Sequence, residues 1–406
     1  MREFAKLYIT KKAEHNAKLG HPWVFGEEVI RVEGEYSNGD LVDVMNDKAK
    51  YIGTGFVNDN SKIRVRIISR NTNDKYDRDF FERRIRYALE YRITVMGEEN
   101  FKCCRLLFGE ADQFPGLTVD RFNDILVAQV LCLGIDQRKT MIFELLLKIL
   151  GEMGQTIHGI YERNDVAIRK LEGLEEYKSP FVMDSLGACP VTTTIEENGL
   201  LFNVDVVNGQ KTGFFLDQKF NRLAIRKISK GRRVLDCFTH TGAFAINAAA
   251  GGATAVTAVD ISLEAINETK ENIILNGFTD KITTLQANVF DLLTDMAEKK
   301  EKKYDFIILD PPAFTKSSHT VKNALSGYRE INYKAMKLLP RGGYLATCSC
   351  SHFMPEGLFI HMLKEAAFDA NVSLRQVEAR QQSPDHPILY NVPETNYLKF
   401  YIFQVV

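Results

Sequence analysis

Apolar runs of strand length alternate with helical segments along the C-terminal half of the chain. After a strand pair that begins near Val191, the strand-length runs are RRVLDCF, ATAVTAVD, KITTLQAN, YDFIILD and GYLATCSC. Segments with helical spacing, such as SLEAINETKENIILNG and GYREINYKAMKLLP, lie between them. Because neighbouring parallel strands need long, usually helical connections, this alternation predicts an α/β fold with a doubly wound parallel sheet over residues 191–406.

The first 75 residues show a different pattern of short strands separated by turns. The strands are predicted in LVDVMND, AKYIGTGFV and KIRVRIISR, which indicates a small β-rich domain over residues 1–75. Period-two alternation in the last of them puts Lys62, Arg64 and Arg66 on one face. That face is interpreted either as a solvated strand face or as a surface that contacts phosphates.

Residues 76–190 mix helical and strand patterns and predict an α+β middle domain. The segment YDRDFFERRIRYALEYRITVM has helical spacing, and four arginines give the helix a basic side: Arg83, Arg84, Arg86 and Arg92. Two apolar runs in GLTVDRFNDILVAQVL, joined by residues 121–124, are typical of a β-hairpin. A further helix is predicted at about residues 137–152. No motif in this region indicates catalytic chemistry.

Composition and charge narrow the class of protein only slightly. The chain has 406 residues, which is more than one domain usually contains, and a net charge of -1, which neither supports nor excludes an RNA partner. Its seven cysteines include no C-x-x-C pair, so neither a disulfide framework nor a metal site is expected. The sequence contains no signal-peptide pattern and no long uninterrupted apolar stretch, so a cytoplasmic location without a membrane partner is expected.

The carboxyl ends of the first three predicted strands carry residues suited to a nucleoside cofactor. In an open parallel sheet, ligands bind beyond these strand ends. Asp236, Phe238 and Gly242 lie at the first strand end, and the glycine lets a cofactor approach the backbone. Asp260 ends the second strand, where a carboxylate can accept hydrogen bonds from both ribose hydroxyls, and Asn288 follows the third strand, where its amide can pair with adenine. The absence of G-x-G-x-x-G disfavours a dinucleotide-dependent oxidoreductase.

The fourth and fifth strand ends carry the candidate catalytic residues. The fourth ends in Asp310 followed by two prolines, which stiffen the backbone and would hold the carboxylate beside the cofactor and the reacting base. The fifth contains Cys348 and Cys350, whose side chains face the same side of the sheet while the strand stays extended. A single buried cysteine is usually a small core residue. Two of them at a strand end beside Asp310 raise the alternative of a nucleophile.

A pyrimidine substrate would give such a thiol a function. Carbon 5 of cytosine is a poor nucleophile, but thiolate addition at carbon 6 makes it able to accept a methyl group. Asp310 could hold the exocyclic amino group and ring nitrogen of the base. The catalytic thiol would need a lowered pKa and an accessible position, and the later of the two cysteines is better placed to clear the rim of the sheet.

The segment NGQKTGFFLDQ, at residues 208–218, precedes the first parallel strand. Its glycines and Lys211 are not in the order of a phosphate-binding P-loop, and no strand-loop-helix context surrounds them. A cap over the cofactor suits the location better. Gln218 and Arg222 are then predicted to reach polar groups of the cofactor.

These motifs together resemble the ribosomal RNA large-subunit methyltransferase I family, within the class I S-adenosylmethionine-dependent enzymes. KLGHPWVF at residues 18–25 is similar to the opening of the family's PUA domain, an RNA-binding β-barrel, and GEAD with FPGLTVDR at residues 109–121 resembles its middle domain. GQKTGFFLDQ, DPPAF, CSCS and the triplet Asp385-His386-Pro387 resemble its catalytic domain. The resemblance extends over essentially the whole chain. Asn288 departs from it, because an acidic residue is expected at that position.

The resemblance implies a three-part protein: a PUA-like domain, an α+β middle domain and a seven-stranded, Rossmann-like methyltransferase domain. It also implies S-adenosylmethionine as cofactor, large-subunit ribosomal RNA as partner and 5-methylcytosine as product, with Cys350 as the motif cysteine and Cys348 as the second candidate. A homodimer is left open. Two alternatives also stay open: methylation of guanine N7, which needs no cysteine, and a non-catalytic RNA-binding role in ribosome assembly.

Overall fold

The computed structural model of the chain describes residues 4–184, 186–315 and 320–406. These residues divide into two units, which are considered separately. The first comprises the residues up to Ile195 together with Val204–Leu216 and Pro384–Thr395, and the second comprises Glu196–Asn203, Asp217–Ser383 and Asn396–Val406. The domain boundaries expected after residues 75 and 190 stay predictions. No helix in the described ranges is both long enough and apolar enough to cross a lipid bilayer.

The first unit begins with a six-stranded sheet of order β2-β6-β5-β4-β1-β3. Its elements are β1 Lys6–Ile9, α1 Lys11–Leu19, β2 Trp23–Phe25, β3 Val29–Glu33, β4 Leu41–Met45, β5 Tyr51–Val57 and β6 Ile63–Ser69. The predicted strands correspond to β4, β5 and β6. Helix α1 is capped at its start by Thr10, whose hydroxyl accepts from the Ala13 amide, and at its end by Gly20, whose φ of 109° suits a residue without Cβ.

The same unit contains a five-stranded sheet of order β11-β10-β9-β8-β7. Its elements are α2 Arg78–Met96, β7 Cys103–Phe108, β8 Leu117–Phe122, β9 Ile125–Val130, α3 Leu133–Asp136, α4 Lys139–Glu152, β10 Gly159–Asn164, α5 Ile168–Leu171 and β11 Tyr177–Pro180. The predicted hairpin is confirmed as β8 and β9, which pair antiparallel. Its turn is shorter than expected, because Arg121 and Phe122 belong to β8.

The arginines on the two predicted basic faces do not form one solvated or phosphate-binding surface. Arg66 is only 8% exposed, and its guanidinium pairs with Glu110 at 3.2 Å and Glu172 at 2.9 Å. Arg92 is completely buried and forms a two-bond ion pair with Asp112, at 2.6 and 2.7 Å. A buried guanidinium is stable only with such partners. Arg66 is therefore neither on a solvated face nor on a phosphate-contacting face, and both interpretations are wrong for this residue. Arg92 is not part of an exposed basic side of α2.

The second unit contains the seven-stranded sheet, of order β16-β15-β14-β17-β18-β20-β19. Its elements are α6 Lys219–Ser229, β14 Arg233–Cys237, α7 Ala243–Ala250, β15 Ala255–Asp260, α8 Leu263–Leu275, β16 Ile282–Gln286, α9 Val289–Glu298, β17 Phe306–Leu309, α10 Val321–Leu338, β18 Tyr344–Ser349, α11 Glu356–Asp369, β19 Leu374–Arg380 and β20 Lys399–Val405. A separate two-stranded sheet consists of β12 Thr192–Glu197 and β13 Leu200–Asp205. The predicted α/β class and the seven-stranded sheet are confirmed.

Five strands of this sheet, β14 to β18, are parallel, while β20 runs antiparallel between β18 and β19. Buried residues of β14, β17 and β18 pack against α9, α10 and α11 in one apolar core that includes Leu235, Ile307, Leu309 and Leu345. Strands buried on both faces read as continuous apolar runs, which is why the sequence pattern located them. This core fixes the strand ends that carry the candidate site.

Candidate active site

The order of the parallel strands reverses between β14 and β17. Strands β15 and β16 extend the sheet on one side of this point, and β17 and β18 extend it on the other. In open α/β sheets the crevice at such a switch point is where ligands bind. Asp236 lies near the end of β14 and Asp310 directly follows β17, so the two predicted acidic residues flank this crevice.

The loop after β14 has an unusual backbone that Gly242 makes possible. Phe238, His240 and Gly242 all have positive φ angles, of 63°, 52° and 81°. A Cβ on Gly242 would lie 2.7 Å from Cγ2 of Thr269, so glycine is required for space as well as for conformation. The loop therefore brings its backbone close to the crevice, as a cofactor-binding turn requires.

Asp260, at the end of β15, holds this loop in place. One of its carboxylate oxygens, Oδ2, accepts a hydrogen bond from the backbone N–H of His240 at 3.0 Å, and Oδ1 accepts from Ser262 N–H at 3.0 Å. Burial lowers the pKa of the His240 imidazole to about 4, although the nearby Asp260 carboxylate opposes this shift. Each carboxylate oxygen can accept a further hydrogen bond, so the predicted ribose contact is compatible with this arrangement.

Asp236 is buried, and its two carboxylate oxygens differ in their hydrogen bonds. Its Oδ2 atom accepts from the Thr239 hydroxyl at 2.5 Å and from the Ala245 amide at 2.9 Å. Its Oδ1 atom is buried and has no hydrogen-bond partner among the described residues. Burial raises the pKa of this carboxyl to about 7. A buried polar atom without a protein partner suits a donor group of a bound cofactor.

Three phenylalanine rings line the same strand ends. The ring of Phe238 lies 6.5 Å from those of Phe290 and Phe314, and these two are 5.7 Å apart. Such a cluster offers an apolar face to a flat ring. Asn288, in contrast, is exposed and caps α9, because its side-chain oxygen accepts from the Phe290 amide at 2.9 Å. Its predicted adenine contact stays a prediction.

Asp310, Cys348 and Gln218 form a hydrogen-bonded group. The Cys348 thiol donates to Oδ1 of Asp310 at 2.8 Å, and the Gln218 amide donates to the same oxygen at 3.1 Å. None of the described residues donates to Oδ2 of Asp310. Burial raises the pKa of Asp310 to about 6, although the thiol's hydrogen bond opposes this shift. One edge of the carboxylate is thus fixed by the protein, and the other is left for a ligand.

The two residues predicted to cap the cofactor are both buried and held by protein groups. Gln218 accepts at its side-chain oxygen from Asn221, at 2.6 Å, which orients its amide donor toward Asp310. Arg222 forms a fully buried two-bond ion pair with Glu197, at 2.6 and 2.7 Å. The structure therefore places Gln218 in the hydrogen-bonded group with Asp310 and Cys348 and gives Arg222 an ion-pair partner in Glu197. Their predicted cofactor contacts stay predictions.

The two candidate thiols have different surroundings. Cys348 is completely buried, and burial together with the Asp310 carboxylate raises its pKa well above the usual value for a thiol. Cys350 is partly exposed and lies one residue beyond the end of β18. A thiol that donates to a carboxylate stays protonated, whereas a partly exposed thiol can meet a substrate.

Two neighbours of this strand end were not found from the sequence. Tyr328 of α10 is buried and its hydroxyl accepts a hydrogen bond from Ser349 at 3.1 Å. Lys399, the first residue of β20, is only 7% exposed, and its ammonium donates to the carbonyl oxygens of Ser351 and Tyr397. A lysine at the start of the apolar run KFYIFQV was the available signal for the second residue.

Comparisons with known proteins identify the family of the chain. Residues 167–404 match the S-adenosylmethionine-dependent methyltransferase family, and residues 7–70 match a PUA-like domain. The chain is 36% identical over 404 residues to the ribosomal RNA large subunit methyltransferase I of Klebsiella pneumoniae, with 99% of each chain covered. It is 39% identical over 394 residues to the protein of that name from Aeromonas salmonicida, with 97% of each covered.

Solved structures share the fold. A protein from Streptococcus mutans, described as an S-adenosylmethionine-dependent methyltransferase, superimposes with a TM-score of 0.81 at 21% identity, covering 98% of this chain and 100% of its own. A methyltransferase complexed with SAH gives a TM-score of 0.82 at 20% identity, with the same coverage. The chain belongs to the ribosomal RNA large subunit methyltransferase I family of S-adenosylmethionine-dependent methyltransferases.

Proposed function

We propose that the chain methylates carbon 5 of a cytosine in large-subunit ribosomal RNA, with Cys350 as the nucleophile. The RNA substrate is taken from the name of the relatives that align with the whole chain. The choice of base rests on one observation: Cys350 has a partly exposed thiol and lies two residues after Cys348, whose own thiol donates to the Asp310 carboxylate. Guanine N7 already carries a lone pair and would give neither group a role.

The residues of the strand ends suit the cofactor. Gly242 and Phe238 offer backbone and an apolar ring, Asp260 offers carboxylate oxygens, and Asp236 has a buried acceptor atom without a protein partner. These four would hold S-adenosylmethionine, with Asn288 beside the adenine. When bound, S-adenosylmethionine supplies an electrophilic methyl group.

Asp310 would orient the base. Its Oδ1 atom is fixed by Cys348 and Gln218, so Oδ2 can accept a hydrogen bond from the exocyclic amino group of cytosine. With a pKa of about 6, a fraction of the carboxyl group is protonated near neutral pH and can donate to ring nitrogen 3. The contact with the amino group orients the base, and donation to nitrogen 3 draws electrons from the ring and favours addition at carbon 6.

Cys350 would supply the electrons for the reaction. Its thiolate forms a bond to carbon 6, and the electron pair of the double bond between carbons 5 and 6 moves to carbon 5. Carbon 5 is then nucleophilic and can be methylated. Removal of the proton on carbon 5 restores the double bond, while the bond between sulfur and carbon 6 breaks and its electron pair returns to the thiolate. Cys348, which donates to Asp310, positions the carboxylate and takes no part in bond formation.

The test is the identity of the methylated nucleoside. An unmodified transcript of large-subunit ribosomal RNA is incubated with the full chain and S-adenosylmethionine that carries a deuterated methyl group, then digested to nucleosides for mass spectrometry. Labelled 5-methylcytidine is expected, and it should be absent with the Cys350→Ser variant. Labelled 7-methylguanosine would overturn the proposed chemistry. No labelled nucleoside, in a protein that binds S-adenosylmethionine and this RNA, would favour the assembly role.

Two further parts of the proposal concern the protein as a whole. A cytoplasmic location is proposed because the relatives are named as methyltransferases of ribosomal RNA. A homodimer remains a hypothesis, and sedimentation velocity of the purified chain at micromolar concentration would decide between one and two copies.

A further inference from the structure

Lys399 carries a positive charge into the interior next to the proposed nucleophile. It is the first residue of β20 and pairs with Ser349 of β18 in the antiparallel register. Ser349 is the residue before Cys350, and the residue after it, Ser351, accepts a hydrogen bond from the Lys399 ammonium at 2.6 Å. The Lys399 backbone is therefore paired with the residue before Cys350, and its ammonium is bonded to the residue after it.

No carboxylate among the described residues lies within ion-pair distance of this ammonium. Its hydrogen bonds go to two neutral acceptors, the carbonyl oxygens of Ser351 and of Tyr397 at 2.9 Å. Glu356 of α11 acts on it only at longer range, and that carboxylate accepts a hydrogen bond from the Tyr401 hydroxyl. Because a buried charge is costly without a countercharge, this arrangement calls for an anion nearby.

The thiols at the end of β18 are the groups that can become that anion. Burial lowers the pKa of Lys399 to about 8, while the thiols of Cys350 and Cys348 and the carboxylate of Glu356 favour its charged form. Cys348 donates to Asp310, and its pKa is raised well above the usual value, so it stays neutral. Among the groups in the described residues that favour the charged form of Lys399, this leaves the Cys350 thiol and the Glu356 carboxylate, which acts at longer range, as sources of negative charge.

We propose that the Lys399 ammonium is the counterion of the Cys350 thiolate, and so a positioning residue that keeps the nucleophile ionised before RNA binds. The inference deepens the proposed function, because it assigns a residue to the activation of that thiol. Among the described residues, other titratable groups near this strand end are the neutral Cys348, the carboxyl groups of Asp310 and Glu356, and Tyr328 of α10, whose own pKa is raised by burial. None of these four supplies a positive charge, whereas Lys399 does and can lower the pKa of Cys350.

The test measures the thiol without RNA or cofactor. The full chain is treated with iodoacetamide between pH 5.5 and 10, and the alkylation rate of Cys350 is followed by mass spectrometry, with fragmentation of the peptide to separate Cys350 from Cys348. In the wild-type chain the rate should reach half its maximum below about pH 8, since a thiol beside a positive charge ionises below its ordinary pKa. In Lys399→Gln, which keeps a donor for the carbonyl oxygens but removes the charge, the midpoint should rise by about one pH unit or more. The rate at pH 7 should then fall about tenfold.

Lys399→Arg is the matched control. It keeps the charge, so its midpoint should lie closer to that of the wild type than to that of Lys399→Gln. Circular dichroism and S-adenosylmethionine affinity establish that each variant is folded, and Lys399→Met replaces Lys399→Gln if the latter is not. Equal midpoints in the wild type and the neutral variant would overturn the inference.

The two hypotheses can fail separately. A shifted midpoint together with 7-methylguanosine as the product would leave Lys399 as the counterion of Cys350 and would refute the cytosine chemistry. An unshifted midpoint together with 5-methylcytidine would refute the role of Lys399 and leave the proposed function intact.

Discussion

The arginines of the first unit and the strand ends of the second were both identified from sequence patterns, but the structure treats them differently. The arginines disperse into separate ion pairs: Arg66 with Glu110 and Glu172, Arg86 with Glu82 and Glu152, and Arg92 with Asp112. At the strand ends of the second unit, Asp236 and Asp310 flank one switch point, and Asp310 is joined to Cys348 and Gln218 by hydrogen bonds.

The difference follows from what each pattern constrains. A run of basic residues fixes charge but not the distribution of acidic partners, which come from distant segments and neutralise it. A residue that ends a parallel strand is placed by the topology itself, because the carboxyl ends of all the parallel strands lie at one edge of the sheet. In this chain, the position of a residue at a strand end therefore indicated the candidate site better than its charge did. The basic residues instead marked ion pairs within the first unit.

The largest expected effect is a loss of stability on substitution of Arg92, one of the buried arginines of the first unit. Arg92→Ala removes one partner of a buried ion pair and two of the hydrogen bonds that Asp112 accepts, so that Asp112 keeps the one from the Phe108 amide. The free energy of unfolding, measured by urea denaturation, should fall by about 3 to 5 kcal/mol. Arg78→Ala is the control on the same helix, because its pair with Glu144 is exposed, and it should change stability by less than about 1 kcal/mol. If Arg92→Ala instead weakened RNA binding at unchanged stability, the contrast between the two regions would be broken.

A smaller effect is expected at Asp260. Asp260→Ala removes the predicted partner of the ribose hydroxyls and also the acceptor for the His240 amide. Binding of S-adenosylmethionine, measured by titration calorimetry, should weaken by about 1 to 3 kcal/mol. Asp260→Asn keeps one oxygen acceptor and should lose less. An unchanged dissociation constant in Asp260→Ala would refute the assigned cofactor pocket.

The smallest expected effect is a change of folding stability with pH that results from the raised pKa of Asp310. Its pKa is raised to about 6 in the folded chain, so the folded state keeps a proton that the unfolded chain has already released. The folded state therefore loses stability as pH rises from the unfolded pKa to about 6, and the loss is complete above that value.

In the Asp310→Asn variant the carboxyl group is replaced by an amide, which does not titrate in this pH range. Between pH 4 and pH 7.5 the wild type should lose stability relative to the variant by roughly 1 kcal/mol, a figure reduced for the partial exposure of the group. Parallel urea denaturations of the two proteins across this range measure the difference. A constant difference at every pH would mean that the carboxyl has an ordinary pKa in the folded chain.

Most strands of the seven-stranded sheet could be predicted from the sequence. Buried parallel strands appear as apolar runs, and a polar residue at or near the end of a run can be recognised, as at Asp236, Asp260 and Asp310. The roles of side chains were harder to predict when their partners lie far away in the chain. Arg222 was assigned to the cofactor, but the partner that occupies it is Glu197, on the separate hairpin strand β12.

The remaining departures have similar physical causes. Asn288 has a residue type favoured at the N-cap of a helix, so its capping of α9 was available from the sequence as an alternative to an adenine contact. Tyr328 lies on α10, the helix before β18, whereas Lys399 lies on β20, which is separated from β18 in the chain by α11 and β19. Only the antiparallel insertion of β20 beside β18 brings Lys399 to Cys350, and no local pattern encodes that pairing.

Trapping of a covalent intermediate on RNA tests whether Cys350 is the nucleophile. RNA that contains 5-fluorocytidine lacks the removable proton on carbon 5, so the bond between Cys350 and carbon 6 cannot break after methylation. The wild-type chain with this RNA and S-adenosylmethionine should give an adduct that survives denaturing electrophoresis, and Cys348→Ser should still form it. The Cys350→Ser variant should form none while binding S-adenosylmethionine normally. If the wild type forms no adduct, or if Cys350→Ser keeps near-normal turnover on unmodified RNA, covalent catalysis by this thiol is contradicted.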